Sequence, residues 1–261
     1  MGVLNVTPDS FYDGGRFIEI DKAIKQIDKL VADGADIIDI GGESTRPGSL
    51  GVSVEEELGR VIPVIKEAVK RFEVPLSVDT TKAKVAEEAL KEGVSIINDI
   101  SGLKFDPKIA DIASKYNAGL VLMHTTSRPF DMQSKTKYNS IISEIIQSLK
   151  HSVKLAETKG VCSNSIIIDP GFGFGKTTIQ NLLLLKYLRE FMSVKKPIMI
   201  GTSRKSFIGK VLGSKNLEDR LEGTAATVAI GILNGASIVR VHDVRFIKRV
   251  ASIVDVILSV N

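Results

Sequence analysis

Three stretches of this chain set reactive or ligand-binding groups where a parallel sheet would expose them. The first is Ile166 to Thr177, IIIDPGFGFGKT. Three β-branched residues in a row have the composition of a strand buried on both faces; Asp169 stops the run, and Pro170 with glycines at 171, 173 and 175 makes a loop. An acid at the carboxyl end of such a strand is a common layout for a ligand site in an α/β protein. The second is Arg240 with His242, which at i and i+2 leave a strand on one face and pair two anion-seeking groups. The third is Lys205, near an expected helix start whose backbone N–H groups also favour anions. Asn5 and Asp13 are oxygen ligands that suit magnesium held partly by a substrate's phosphates. GFGFGKT fails as a phosphate-binding P-loop, because Pro170 stands where G-x-x-x-x-G-K-[ST] needs its first glycine. No H-E-x-x-H or comparable cluster supports a structural zinc.

The elements that must position these groups recur in one order: apolar run, polar residue, loop, helix. Gly2 to Val6 reads as a first strand, followed by a Pro-, Asp-, Ser- and Gly-bearing loop from Thr7 to Phe17. Asp21 caps an expected helix to Val31, and Ile37 to Ile40 is the second strand. GGESTRPGS follows as a second loop, and Ser53 with Glu56 forms an S-x-x-E capping box for a helix to Arg71. Further strands are expected at 76–79, 95–99, 119–123, 166–169, 197–200 and 238–241, each followed by helical sequence. Asp106 and Pro107 open the fourth helix, and the last runs from Arg245 to Leu258. Eight strand–helix units in 261 residues predict a single-domain (β/α)8 TIM barrel over 1–261, with its active site at the carboxyl ends of the strands.

Those ends present Asn5, the 39–47 loop, Asp79, Asn98, His124, Asp169, the 201–206 segment, and Arg240 with His242. Each has a plainer alternative. Asp79 before Thr80 reads equally as a helix cap, Asp99 as a turn former outside the site, and His124 as a supporting residue. His151, inside a polar helix, reads as a solvated bystander. Convergence of eight such ends is what distinguishes a binding cavity from eight separate caps.

Composition narrows the function. With 35 basic and 31 acidic residues the net charge is +4, too mild and interspersed to imply nucleic acid, and the few aromatics do not interleave with basic runs. The excess suits an anionic small molecule. A single cysteine, Cys162, forms no intrachain disulfide and reads as an incidental thiol. No secretory signal is visible, and no apolar run approaches the ~18 residues of a membrane span, so a cytoplasmic protein is expected.

MGVLNVTPDSFYDGG (1–15), GADIIDIGGESTRPG (34–48), SVDT (77–80), IND (97–99), LMH (122–124), DPGFGFGKT (169–177), GTSRKSFIG (201–209) and VRVHDV (239–244) resemble, in order and over the whole chain, the dihydropteroate synthase family. The resemblance implies a barrel, a homodimer, and condensation of 6-hydroxymethyl-7,8-dihydropterin diphosphate with p-aminobenzoate in folate biosynthesis. It implies pterin binding by Asp79, Asn98, Met123, Asp169, Lys205 and Arg240, and diphosphate binding by Asn5, Arg240 and His242. It further implies magnesium at Asn5 and Asp13, and p-aminobenzoate, with its sulfonamide competitors, at Thr45, Arg46, Pro47, Phe174, Lys205 and Ser206. Asp79, Lys205, Asp13 and Arg46 would carry the catalysis, by diphosphate departure, a pterin methylene cation, then attack by the neutral aniline. The 7–17 and 41–53 loops would close over that cation.

Departures are a start almost within the first strand, which predicts a missing amino-terminal lid; Tyr12 for a commoner serine; and a loosely matching 124–133 loop. A corrinoid-type methyltransferase shares the barrel and pterin site but has little use for NVTPDSF and STRPG. A non-catalytic pterin-binding relative predicts damage at Asn5, Asp13, Arg46 or Lys205, and all four residues are present.

Overall fold

Short apolar runs alternate with amphipathic helices along the sequence, and the folded chain keeps that alternation. The structure, a computed structural model, describes residues 1–7 and 16–260. In chain order it contains β1 (Gly2–Asn5), α1 (Arg16–Ala32), β2 (Ile38–Gly41), α2 (Val54–Arg71), β3 (Leu76–Asp79) and α3 (Ala83–Lys91). These are followed by β4 (Ile96–Asp99), α4 (Lys108–Lys115), β5 (Gly119–Met123), α5 (Ile141–Thr158), β6 (Ile166–Asp169) and α6 (Thr178–Lys186). The chain ends with β7 (Ile198–Ile200), α7 (Ser206–Leu212), α8 (Leu221–Leu233), β8 (Ala236–Val239) and α9 (Val244–Ser259). The strands form one parallel sheet in the order β1 to β8, an α/β, TIM-barrel-like architecture. Past β8, Val241 bridges back to Gly2: Val3 N–H donates to the Val241 carbonyl (3.1 Å), and Val241 N–H to that of Met1 (2.9 Å).

The two-residue period of a strand divides its side chains between two packing layers. Ile38, Ile40, Leu76, Val78, Ile97, Leu120, Leu122, Ile166, Ile168, Ile198 and Ile200 join the large core that includes the helices' buried faces. The alternate positions form a separate small cluster of Met1, Val121 and Met199, with Ile37, Ile96, Ile167 and Ile238 against it. Two residues further along their strands from Ile37, Ile96, Ile167 and Ile238 stand Asp39, Asn98, Asp169 and Arg240. The inner layer is thus apolar at one end and polar at the other.

Several boundaries differ from the sequence reading. β1 stops at Asn5, short of Val6. α1 starts at Arg16, before Asp21, because Ile20 already packs on the core one turn ahead of Ala23 and Ile24. β8 begins at Ala236, directly after Gly235 (φ 99°), and ends at Val239, although the ladder continues: Arg240 N–H donates to the Ile200 carbonyl (2.9 Å) before Val241 bridges to Gly2. Arg240 and His242 therefore lie on the extended continuation of β8, beyond its assigned end. The capping box at Ser53 is half formed: Ser53 accepts from Glu56 N–H at 3.1 Å, while the Glu56 carboxylate pairs with Arg60. Thr177 and Gln180 form a complete box at α6.

Candidate active site

Strand register sets the first part of the site. Asn5 pairs with Gly41, Gly41 with Asp79, and Asp79 with Asn98, so four strand ends lie side by side. Arg240 reaches across them: its Nε donates to Asp39 Oδ2 at 2.6 Å and its Nη2 to Asp79 Oδ2 at 2.8 Å. Asn98 Nδ2 donates to the same Asp39 oxygen at 2.9 Å. Asp79 is thereby a partner of Arg240 and not a helix cap; Thr80 Oγ1 takes the Lys82 N–H instead. Asp99 is the turn former expected, accepting from Ser101 and Leu103 N–H.

Asp39 entered the sequence reading only as the first residue of the 39–47 segment, with no role of its own, and is central here. It is fully buried (0% exposed) and links Arg240 to Asn98. An acid inside the apolar run IIDI was the available signal, since a lone buried charge is tolerated only with a partner. Asp39 Oδ1 and Asn98 Oδ1 are buried without a partner among the described residues. Buried polar atoms are nearly always paired, so two unsatisfied acceptors in one cluster mark places for a ligand's donors. Arg240 itself has three N–H groups left after its two ion-pair bonds.

Burial also tunes the charges. It pushes the Asp79 carboxyl above the usual carboxylate range, with Arg240 opposing. Burial raises Asp169 to about 6 against the pull of the Gly171 N–H, which donates to Asp169 Oδ1 at 2.7 Å. Lys205 falls to about 8 through burial and the nearby Arg240, while Asp169 and Asp79 pull it back up. Its ammonium sits 4.3 Å from the centre of the Phe174 ring, a cation–π contact. Phe174, Met123, Ile100 and Met132 form a small buried apolar cluster of their own. The site therefore combines carboxylates, a guanidinium, an ammonium and an apolar wall, the set a flat heterocycle with hydrogen-bonding edges would use.

The 170–176 loop that carries Phe174 is held from beneath. Gly171 has φ +76°, and a Cβ there would stand 2.0 Å from the His124 carbonyl oxygen, so only glycine fits. Lys176, also missed from sequence, is buried and donates to the carbonyls of Gly171 (2.8 Å) and Phe174 (2.9 Å). Burial lowers it to about 7. Its Nζ lies 3.2 Å from His124 Nδ1. Burial and Lys176 push His124 down to about 2, so the ring is neutral and accepts from the lysine. His124 is a support for the loop, the plainer of its two readings.

The 201–206 segment is fixed just as tightly. Arg204 has the left-handed φ of 58°, which costs an L-residue roughly 1–2 kcal/mol. Its neighbours hold it there: its N–H donates to Thr224 Oγ1 (3.2 Å), its carbonyl accepts from Arg220 Nη1 (2.9 Å), and its guanidinium forks onto Asp243 (3.0 and 2.6 Å). That turn directs Ser203 to His242 and Lys205 to Phe174. Ser203 Oγ lies 3.0 Å from His242 Nδ1 and accepts from His242 N–H at 3.2 Å.

Thr45, Arg46 and Pro47 lie on the 42–53 loop, half-buried at Thr45 and exposed at the other two. Ser49 Oγ donates within this loop, to the carbonyls of Ser44 and Arg46, and Gly48 N–H reaches the Pro129 carbonyl at 2.9 Å. At its base Lys82 joins Glu43 to the buried Glu57. Among the described residues no hydrogen bond or ion pair ties the side chains of Thr45, Arg46 or the exposed Ser206 to the Arg240 cluster. Asn5 is exposed at the end of β1. Asp13 lies outside the described residues, as do residues 8–15 of the 7–17 loop. Among the described residues no group of three or more His, Cys, Asp or Glu could hold a metal ion. Asn5, the described member of the Asn5–Asp13 pair expected to meet magnesium, offers one amide oxygen, which fits a cation that takes most of its shell from water and phosphate.

Comparison with known proteins supplies the family. Residues 1–242 match the model of the pterin binding enzymes. The chain is 51% identical over 259 residues to dihydropteroate synthase of Bacillus subtilis, covering 99% of this chain and 88% of that protein. Among solved structures, dihydropteroate synthase of Clostridium difficile, determined in the presence of pteroic acid, superposes with TM-score 0.93 at 48% identity, over 98% of this chain and 95% of that one. The Xanthomonas albilineans enzyme with 4-aminobenzoic acid gives TM-score 0.93 at 38% identity, over 100% and 93%. With the motifs spread from Asn5 to His242 and the likeness running the full length, the chain belongs to the dihydropteroate synthase family of pterin-binding enzymes.

Proposed function

We propose that the chain joins 6-hydroxymethyl-7,8-dihydropterin diphosphate to p-aminobenzoate, releasing diphosphate and forming 7,8-dihydropteroate in folate biosynthesis. The observation that carries this reading is the buried Arg240–Asp39–Asp79–Asn98 cluster, with two unpaired acceptor oxygens, beside the Met123–Phe174 wall. A pterin edge offers an amino group and a ring N–H to such acceptors, and a carbonyl to the Lys205 ammonium. Met123 packs on one ring face and the Arg240 guanidinium on the other.

The catalytic unit in this reading is one domain, a closed (β/α)8 barrel with the active site at the strands' carboxyl ends. The Val241–Gly2 bridge supports closure. A cytoplasmic homodimer is part of the same proposal; exposed apolar side chains on α9, Ile253 and Ile257 among them, support the dimer.

Chemistry begins at the leaving group. As the carbon–oxygen bond to diphosphate breaks, its electron pair goes to the departing oxygen, and the spare N–H groups of Arg240, the His242 ring and the Asn5 amide donate to the charge that develops. Asn5 and Asp13 would hold magnesium together with the diphosphate, and the ion would supply neutralisation of diphosphate charge. Asp79 faces the electron-poor pterin methylene. The amine of p-aminobenzoate, positioned by Thr45, Arg46, Pro47, Phe174, Lys205 and Ser206, then gives its lone pair to that carbon and loses a proton to solvent. It is neutral at pH 7 and already nucleophilic, so no strong general base is required. The 7–17 and 41–53 loops exclude water from the cation.

Purified chain incubated with both substrates and magnesium tests this directly, with dihydropteroate and diphosphate followed together. Equal release in both channels, abolished by chelation, is expected; diphosphate release alone places the fault at the 41–53 loop, and no turnover overturns the proposal.

A further inference from the structure

We propose that Ser203 is a positioning residue that holds the His242 ring as the neutral tautomer protonated on Nε2, leaving that N–H as the ring's one donor. The inference rests on the reading of His242 as a diphosphate ligand for its functional consequence, but not for the tautomer itself.

Ser203 is buried, and its hydroxyl makes two contacts on one neighbour: the backbone nitrogen of His242 at 3.2 Å and the ring Nδ1 at 3.0 Å. A backbone N–H can only donate, so it occupies one lone pair of Oγ. The hydroxyl then has one proton to place. Among the described residues Nδ1 is the acceptor within reach. A proton on Nδ1 would set two donors against the same oxygen and leave the buried hydroxyl proton without a partner, which native interiors avoid. Nδ1 is therefore the acceptor, and a neutral imidazole that accepts at Nδ1 carries its proton on Nε2.

The surroundings argue against the doubly protonated ring. Arg240, Arg204 and Lys205 are the cations around it, and Asp243 is the one opposing acid; Asp243 is already engaged by the fork from Arg204. Burial, with Arg240 and Arg204 adding to it, pushes His242 down to about 4. The Arg204–Asp243 fork lies one residue along from the Ser203–His242 contact on both segments. Two adjacent links thus fix the segment after β7 against the segment after β8 and keep the Ser203 and His242 backbones in register.

The test uses the full-length chain labelled with nitrogen-15 histidine, and long-range proton–nitrogen spectra at pH 7. The His242 signal is identified by its loss in His242→Gln. The expected result is an unprotonated, accepting Nδ1 and a protonated Nε2 in the wild type. Ser203→Ala should give a mixture of tautomers, and Ser203→Thr, which keeps a hydroxyl, should restore the single form; thermal unfolding verifies that each variant is folded. An imidazolium or an Nδ1–H form in the wild type overturns the proposal, as does an unchanged ring in Ser203→Ala. Kinetics separate the two layers. Ser203→Ala should raise KM for the dihydropterin diphosphate several-fold and leave KM for p-aminobenzoate unchanged. A changed tautomer with both KM values unchanged upholds the hold of Ser203 on the ring and removes His242 from the diphosphate site.

Discussion

The strand-end residues and the loop residues of this site are placed by different means. Asp39, Asp79, Asn98 and Asp169 stand on strands, where pleat and register fix them: Gly41 pairs with Asp79, Asp79 with Asn98, and Met123 with Asp169. Lys176, Lys205 and the Ser203–His242 pair stand on loops, where left-handed residues and buried hydrogen bonds fix them. A strand residue exchanged for its isostere should leave its backbone in place and lose only its own bonds. A loop residue can be displaced from a distance, through whatever holds its turn.

The sharpest break of that contrast is Asp39→Asn. Removing that charge leaves the half-buried Arg240 with Asp79 as its remaining acid partner and costs about 2–3 kcal/mol, the worth of a charged hydrogen bond, so both thermal stability and turnover should fall, kcat/KM by about thirty- to a hundredfold. Turnover near wild type, with unchanged melting, would remove Asp39 from the centre of the site. Lys205→Ala comes next. Loss of a charged hydrogen bond to substrate predicts about thirtyfold in kcat/KM, about 2 kcal/mol, with melting unchanged or raised because a buried ammonium is gone. A variant that melts early instead would make Lys205 structural.

The pH profile sharpens the same pair. Asp169, raised to about 6 by burial, is a carboxylate above that pH, and Lys205, lowered to about 8, is an ammonium below it. The kcat/KM for the dihydropterin diphosphate should therefore rise through about 6 and fall above about 8, and Lys205→Ala should lose the alkaline limb. A limb that persists in the variant belongs to another group. The smallest effect is expected at a distance from substrate. Arg220→Met releases the Arg204 carbonyl, and with it the left-handed turn that aims Ser203 and Lys205; about 1 kcal/mol, or about fivefold in KM for the pterin substrate, should follow. No change at all would mean that Thr224 and Asp243 suffice to hold the turn.

What could be read from the sequence divides along the same line. Asp79, Asn98 and Asp169 were legible because an apolar run ending in a polar residue has a fixed outcome in a parallel strand. Asp39, read only as part of the 39–47 segment, had no role assigned, because it sits within the run IIDI, one residue before its end, and only the Arg240 that reaches it from the far side of the sequence explains it. Lys176 looked like part of a failed phosphate motif; its burial depends on Gly171 and on His124, brought together by tertiary structure alone. Arg240 and His242 were recognised as a pair but not their partners: β8 itself ends at Val239 while the ladder continues through Arg240 and Val241, and Arg240 bonds the acids whereas His242 meets Ser203. The loop residues Thr45, Arg46, Pro47 and Ser206 rest on family likeness, and Asp13 lies outside the described residues.

The central claim, that strand-borne acids recognise the pterin while His242 serves the diphosphate, is tested most directly by calorimetric titration with 6-hydroxymethyl-7,8-dihydropterin lacking its diphosphate. Asp79→Asn should weaken binding by more than about tenfold, the loss of a charged hydrogen bond, while His242→Gln should bind as the wild type does. Equal affinity in Asp79→Asn and wild type, or a loss confined to His242→Gln, would contradict the account.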